Sequence, residues 1–142
     1  MNVNVGDEIP TFERMSGFHA WNRFAAVNDE FVPIHMDDEA GRQAGYPGAF
    51  GMGNLQFSYL NAVLRNWIGD DGRIVSVSCQ FRAPNLRGLR TIARGRVTAV
   101  KQEGSETIVD LDVWTETEQG TVLAPGRATV ALPSSRRPSS RR

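Results

Sequence analysis

The residues of this chain that can do chemistry cluster between positions 28 and 53, in the stretch NDEFVPIHMDDEAGRQAGYPGAFGMG. His35 is one of only two histidines. Its imidazole, with an ordinary pKa of ~6.5, can exchange protons near neutral pH. Glu30 precedes it across a segment that Pro33 biases toward an extended path, so both side chains can reach one pocket without helical spacing. A carboxylate beside an imidazole can hold a water molecule, or orient the ring and stabilise its charge. Glycines at 48, 51 and 53 then lead into an apolar helical run. The first turn of a helix has N–H groups without intrahelical partners and sits at the positive end of the dipole. The backbone N–H of Gly51 or Met52 can therefore hold an oxygen on which negative charge develops. The same glycines also permit close packing of the helix against a sheet.

Other candidates are weaker. His19 lies ahead of the first helical segment, with no acid at useful spacing, and is expected at the surface or in a cap. Cys79 alternates in phase with Val75, Val77 and Phe81, so it is expected in the core rather than as a nucleophile. Two distant histidines and one cysteine give no metal-ligand spacing, so no metal is expected. There is no Gly-x-Ser-x-Gly elbow.

The elements that must position these residues follow from periodicity. Residues 5–15 read as a turn and a first strand, and 19–29 as a short helix ending near Asn28 and Asp29. The Phe-Val-Pro-Ile-His segment reads as extended. Residues 37–45 read as a short helix capped by Asp37 or Asp38 and ended by Gly45. From Met52 to Trp67, apolar groups recur at 52, 55, 59, 60, 63, 64 and 67, a wide stripe that predicts a largely buried helix. Five polar residues, Asn54, Gln56, Ser58, Asn61 and Asn66, flank that stripe, and some of them are expected to line a pocket or meet a second subunit. Beyond Gly72 the period changes to two. Strands are predicted over 75–81, 89–100, 106–117 and 121–132, with a hairpin at 118–120 and a bulge or edge at Pro125 and Gly126. The sum is an α+β domain, an antiparallel sheet able to wrap around one long helix.

The 142 residues suit one domain, here 1–132, followed by an Arg/Ser/Pro tail over 133–142 that is expected to be disordered. Hydrophobic residues make up 40% and charged residues 23%, the balance of a globular chain. Net charge is zero, but the tail holds four arginines and leaves a body of 12 basic against 16 acidic residues. An acidic body argues against nucleic-acid binding. The single cysteine, the lack of a signal peptide and the lack of a long apolar run give a cytoplasmic expectation with no membrane contact.

The order of elements, with Pro33–Ile34–His35 ahead of the long helix and Phe81–Arg82–Ala83–Pro84 after the first long strand, resembles the MaoC-like hot-dog family of R-specific enoyl-CoA hydratases and dehydratases. Phe24–Ala25, Glu30, Gly45–Tyr46 and Ala49–Phe50–Gly51–Met52 match further parts of the family pattern. Three positions depart from it. Glu30 stands where the family usually has aspartate, Val32 where it has asparagine, and Phe50 where it has histidine.

The resemblance implies a hydratase or dehydratase acting on a 2-enoyl-CoA or 3-hydroxyacyl-CoA, with Glu30 and His35 as catalytic pair and no cofactor beyond the CoA thioester itself. It places a loop carrying Arg82, Arg87 and Arg90 near the CoA entrance, where guanidinium forks suit phosphate. Phe50, Phe57, Tyr59 and Trp67 are candidates to shape the acyl tunnel. It also implies a dimer, either a homodimer or a heterodimer with another hot-dog chain. The three departures keep an alternative open, a non-catalytic subunit of a heteromeric hydratase. A thioesterase is a third reading, against which residues 52–67 hold no Asp or Glu.

Overall fold

A computed structural model describes residues 2–29 and 31–134. Glu30 and the tail from residue 135 onward therefore lie outside the described residues. The elements are β1 (Phe12–Met15), α1 (Phe18–Asn28), a single 3-10 turn (Pro33–His35), α2 (Asp38–Gln43), α3 (Gly53–Ile68), β2 (Arg73–Cys79), β3 (Arg90–Glu103), β4 (Glu106–Thr117) and β5 (Val122–Pro133). The five strands form one antiparallel sheet in the order β1-β3-β4-β5-β2. It curls around α3, as the change of hydrophobic period predicts. Pro133 closes β5 instead of opening the tail.

The core lies between α3 and the inner face of the sheet. Leu55, Tyr59, Leu60, Val63, Leu64 and Ile68 of α3 meet Val97 of β3, Val109, Leu111 and Val113 of β4, and Ala128, Val130 and Leu132 of β5. Trp21 and Ala25 of α1 close one end of this layer and are fully buried. Each large aliphatic side chain removed from water here contributes about 1.5–3 kcal/mol.

Three local readings change. Pro33–Ile34–His35 forms a 3-10 turn instead of continuing the extended path of Val32. Proline suits a first helical position, because its φ is already set and it has no N–H to leave unpaired. Val75 is exposed although its neighbours alternate, because a bulge between Ile74 and Ser76 slips the register and leaves Ile74 and Val77 facing in. A second irregularity between Val97 and Ala99 turns Ala99 outward in the same way. Pro125 lies on β5, an interior strand between β4 and β2. It sits just beyond the last β2 pair, Cys79 with Gly126, where no ladder partner needs its missing N–H.

α1 ends at Asp29, which takes the left-handed conformation at φ 52°, and α3 ends at Gly69 with φ 68°. No helix among the described residues is long and apolar enough to cross a membrane.

Candidate active site

His35 ends the 3-10 turn and is 8% exposed. Its Nδ1 lies 2.7 Å from the carbonyl oxygen of Phe50. A carbonyl can only accept, so Nδ1 carries the proton, and in the neutral ring Nε2 keeps its lone pair. The clamp is reciprocal, because the Phe50 N–H donates to the Ile34 carbonyl at 3.1 Å. The Phe50 ring meets the imidazole edge-on at 5.3 Å between centroids and packs on Tyr46 at 4.4 Å. Phe50 thus orients His35 through its main chain and walls it with its ring.

The segment carrying Phe50 is braced from α2. Asp37 caps that helix by accepting from the Ala40 N–H at 3.1 Å. Asp38 reaches out of it to accept from the Ala49 N–H at 3.0 Å and from Arg87 at 2.7 Å. The Ala49 N–H and the Arg87 guanidinium hold the Asp38 carboxyl below its ordinary value of 3.8. Gly41 lets this brace close, since a Cβ there would overlap the Gly48 carbonyl.

On the other side, the Gly51 N–H donates to the Asn85 carbonyl at 2.8 Å. Asn85 is 2% exposed, and its side-chain oxygen accepts from Ser16 at 2.6 Å and Thr91 at 3.1 Å. Gly51 itself has no room for a side chain, because a Cβ would come within 2.8 Å of the Trp21 indole nitrogen and 2.9 Å of Asn85 Nδ2. This bears on the Gly51 half of the oxyanion expectation. The Gly51 N–H already has an acceptor, so Gly51 serves close approach. The N–H groups of Met52, Gly53 and Asn54 have no acceptor among the described residues. Met52 is buried, whereas Gly53 opens α3 and lines the cavity beside His35.

That cavity has a volume of about 220 Å³. His35, Tyr46, Phe50, Gly53, Gln56 and Asn85 are among its walls, as are Phe81, Arg82 and Leu123. Gln56 is one of the five flanking polar residues of α3 and is 3% exposed, with neither amide atom partnered. Of the four aromatic candidates for a tunnel, only Phe50 lines this cavity; Tyr59 packs on Phe12 at 5.6 Å. Tyr46 and Phe81 take part instead. Sequence alternation placed Phe81 with the core, but it lies beyond the end of β2 and is 56% exposed.

A larger groove of about 830 Å³ runs past Arg82 along β2 and β5, with Arg96, Asp112, Trp114 and Arg127 in its walls. The smaller cavity is the one lined by both the oriented His35 ring and the opening residue of α3.

The structure separates the three arginines. Arg82 lines both cavities, and among the described residues its guanidinium meets only the neutral Gln80 side chain, at 3.0 and 3.3 Å. Arg87 is engaged by Asp38 and lies 4.6 Å over the Phe18 ring, and Arg90 pairs with Glu13 at 3.1 Å. Neither lines a cavity described here. His19 is exposed on α1 beside Arg23, 2.9 Å away. Cys79 is half-buried against the core, and burial pushes its thiol pKa up. Gln56 is one of the polar residues flanking α3 that the sequence offered for a pocket, whereas Asn85 carries no motif signal and only its burial reveals it.

No family model matches the chain. It is 27% identical over 111 residues to an (R)-specific enoyl-CoA hydratase of Aeromonas caviae, covering 78% of this chain and 81% of the relative. The solved (R)-hydratase of A. caviae involved in PHA biosynthesis superposes with a TM-score of 0.82 at 24% identity, over 92% of this chain and 98% of that one. A MaoC-like dehydratase from Rhodospirillum rubrum gives 0.81 at 21% identity, over 96% and 95%. The ChsH1-ChsH2 complex from Mycobacterium tuberculosis gives 0.80 at 17% identity, over 93% and 99%. With the Pro-Ile-His turn and the glycine-rich helix entry on a sheet curled around α3, these likenesses show the hot-dog fold and a similarity to MaoC-like hydratases and dehydratases.

Proposed function

We propose that the chain is a hydratase/dehydratase that adds water to a 2-enoyl-CoA or removes it from a 3-hydroxyacyl-CoA. The observation that carries this is the imidazole of His35, held with Nδ1 protonated by Phe50 and lining a cavity that also meets the first free N–H of α3. In the hydration direction, Nε2 accepts a proton from water as the water oxygen bonds to C3. The C2–C3 π pair moves toward the thioester, and charge develops on its oxygen. The Gly53 N–H, with the dipole of the 16-residue α3 behind it, is our assignment for the donor to that oxygen. C2 then takes up a proton from a second acid–base group, the π electrons return from the enolate, and the proton held on Nε2 passes to that group to reset the pair. Glu30 is our assignment for the second acid–base group, from its place in the sequence. Arg82 is the cation we assign to the CoA phosphates.

Exposed apolar side chains support a dimer. Phe31, Val32, Met36, Tyr46 and Phe81 are all more than a third exposed, and β2 is an open edge of the sheet. A partner chain would cover apolar surface and complete the tunnel wall. The likeness to the ChsH1-ChsH2 complex keeps a heterodimeric assembly as the second reading.

The test is hydration of crotonyl-CoA and of a long 2-enoyl-CoA by the purified chain alone, followed by loss of the enoyl-thioester absorbance. Turnover supports the enzyme reading. A folded chain that turns over neither substrate, yet becomes active with a second hot-dog chain, supports the subunit reading.

A further inference from the structure

Gln56 is a group in the His35 cavity that the proposed chemistry leaves unused. It is 3% exposed, lines the cavity, and has neither Nε2 nor Oε1 in a hydrogen bond among the described residues. Buried amides are ordinarily paired, so a lone one in a cavity wall is complementary to something the cavity receives.

Its position narrows the choice. Gly53 and Gln56 are three residues apart on α3 and both line the cavity, so they share one helix face. The separation along the axis is about 4.5 Å at the α-helical rise. A thioester oxygen at the Gly53 N–H therefore puts Gln56 within reach of the acyl chain near its fourth carbon. An unsubstituted hydrocarbon would leave both amide atoms dry, whereas a hydroxyl or carbonyl oxygen at that point pairs with them.

We propose that Gln56 makes the cavity selective for acyl thioesters bearing a hydrogen-bonding oxygen at or near the fourth carbon, over the unsubstituted chain. The proposal rests on the reading above that this cavity takes the acyl end of a CoA thioester.

Binding tests it without turnover. Calorimetric titration of the full chain with butyryl-CoA and with 4-hydroxybutyryl-CoA, neither of which can undergo the reaction, gives the ratio of dissociation constants. We expect the hydroxylated thioester to bind at least ~10-fold more tightly, since a site built around a polar group discriminates strongly against its absence. In Gln56→Met, and in Gln56→Leu as a second variant, the ratio should fall to about one or invert. Equal binding of the two thioesters by wild type overturns the proposal and leaves the thioester reading intact. A preference kept in a folded Gln56→Met chain also overturns it. Binding of neither thioester by wild type removes the thioester reading and the proposal with it.

Discussion

The His35 ring and the Phe50 main chain hold each other: Nδ1–H donates to the Phe50 carbonyl at 2.7 Å while the Phe50 N–H donates to the Ile34 carbonyl at 3.1 Å. A turn that would otherwise be free to pivot about Pro33 is tied to the entry of the long helix. The imidazole therefore arrives with its tautomer decided and its ring plane set by an aromatic wall. Pre-orientation of this kind matters because a displacement of about 1 Å at a reacting group can cost roughly 10²-fold in rate.

Gly41→Ala should damage the site from a distance. The new methyl would overlap the Gly48 carbonyl and push apart α2 and the segment leading to Phe50. We expect a loss of about 1–3 kcal/mol in stability, measured by denaturant unfolding, with turnover reduced further than the folded fraction explains.

Acid should loosen the same brace. The Asp38 carboxyl is held below its ordinary value by the Ala49 N–H and Arg87, so its contribution is fully present above pH 3.8 and is lost as pH falls through the lower folded value. Hydrogen exchange at the Ala49 amide should accelerate below that pH, relative to core amides of β4. Asp38→Asn should show the fast exchange already at pH 7, and exchange that matches wild type there would contradict the brace.

The three arginines should behave differently. Arg82→Ala should raise KM for a CoA thioester, with an effect that shrinks as salt rises, because its guanidinium faces both cavities without an acidic partner among the described residues. Arg90→Ala, which removes an exposed pair with Glu13, should leave KM near wild type. Steady-state kinetics at two ionic strengths separates the outcomes.

Gln56→Met should make the empty protein more stable. The substitution keeps the length of the side chain and removes two buried polar atoms that have no partner among the described residues. We expect a gain of about 1–2 kcal/mol, read as a rise of several degrees in the unfolding midpoint. An unchanged or lower midpoint would mean that the amide is satisfied in the free protein.

Much of this was legible in the sequence because it rests on period and on special residues. The apolar stripe of α3, the alternating Val109, Leu111 and Val113, and the Asp37 cap all express one residue's burial or one short contact. What was not legible depends on register and on long-range pairing. Val75 and Ala99 face outward because bulges slip one residue, which alternation cannot foresee. Gly51 looked like an oxyanion donor until Asn85, from a loop more than thirty positions away, took its N–H. Arg87 looked like a phosphate ligand until Asp38 claimed it. Gln56 was one of several polar residues flanking α3, and only the cavity singles it out.

The most direct test of the account is the rate of crotonyl-CoA hydration by wild type and by His35→Ala, each shown to be folded by its unfolding midpoint. The account predicts measurable turnover in the first and a loss of about 10²–10⁴-fold in the second, the range of a removed general acid–base group. Turnover that survives in a folded His35→Ala chain would contradict it.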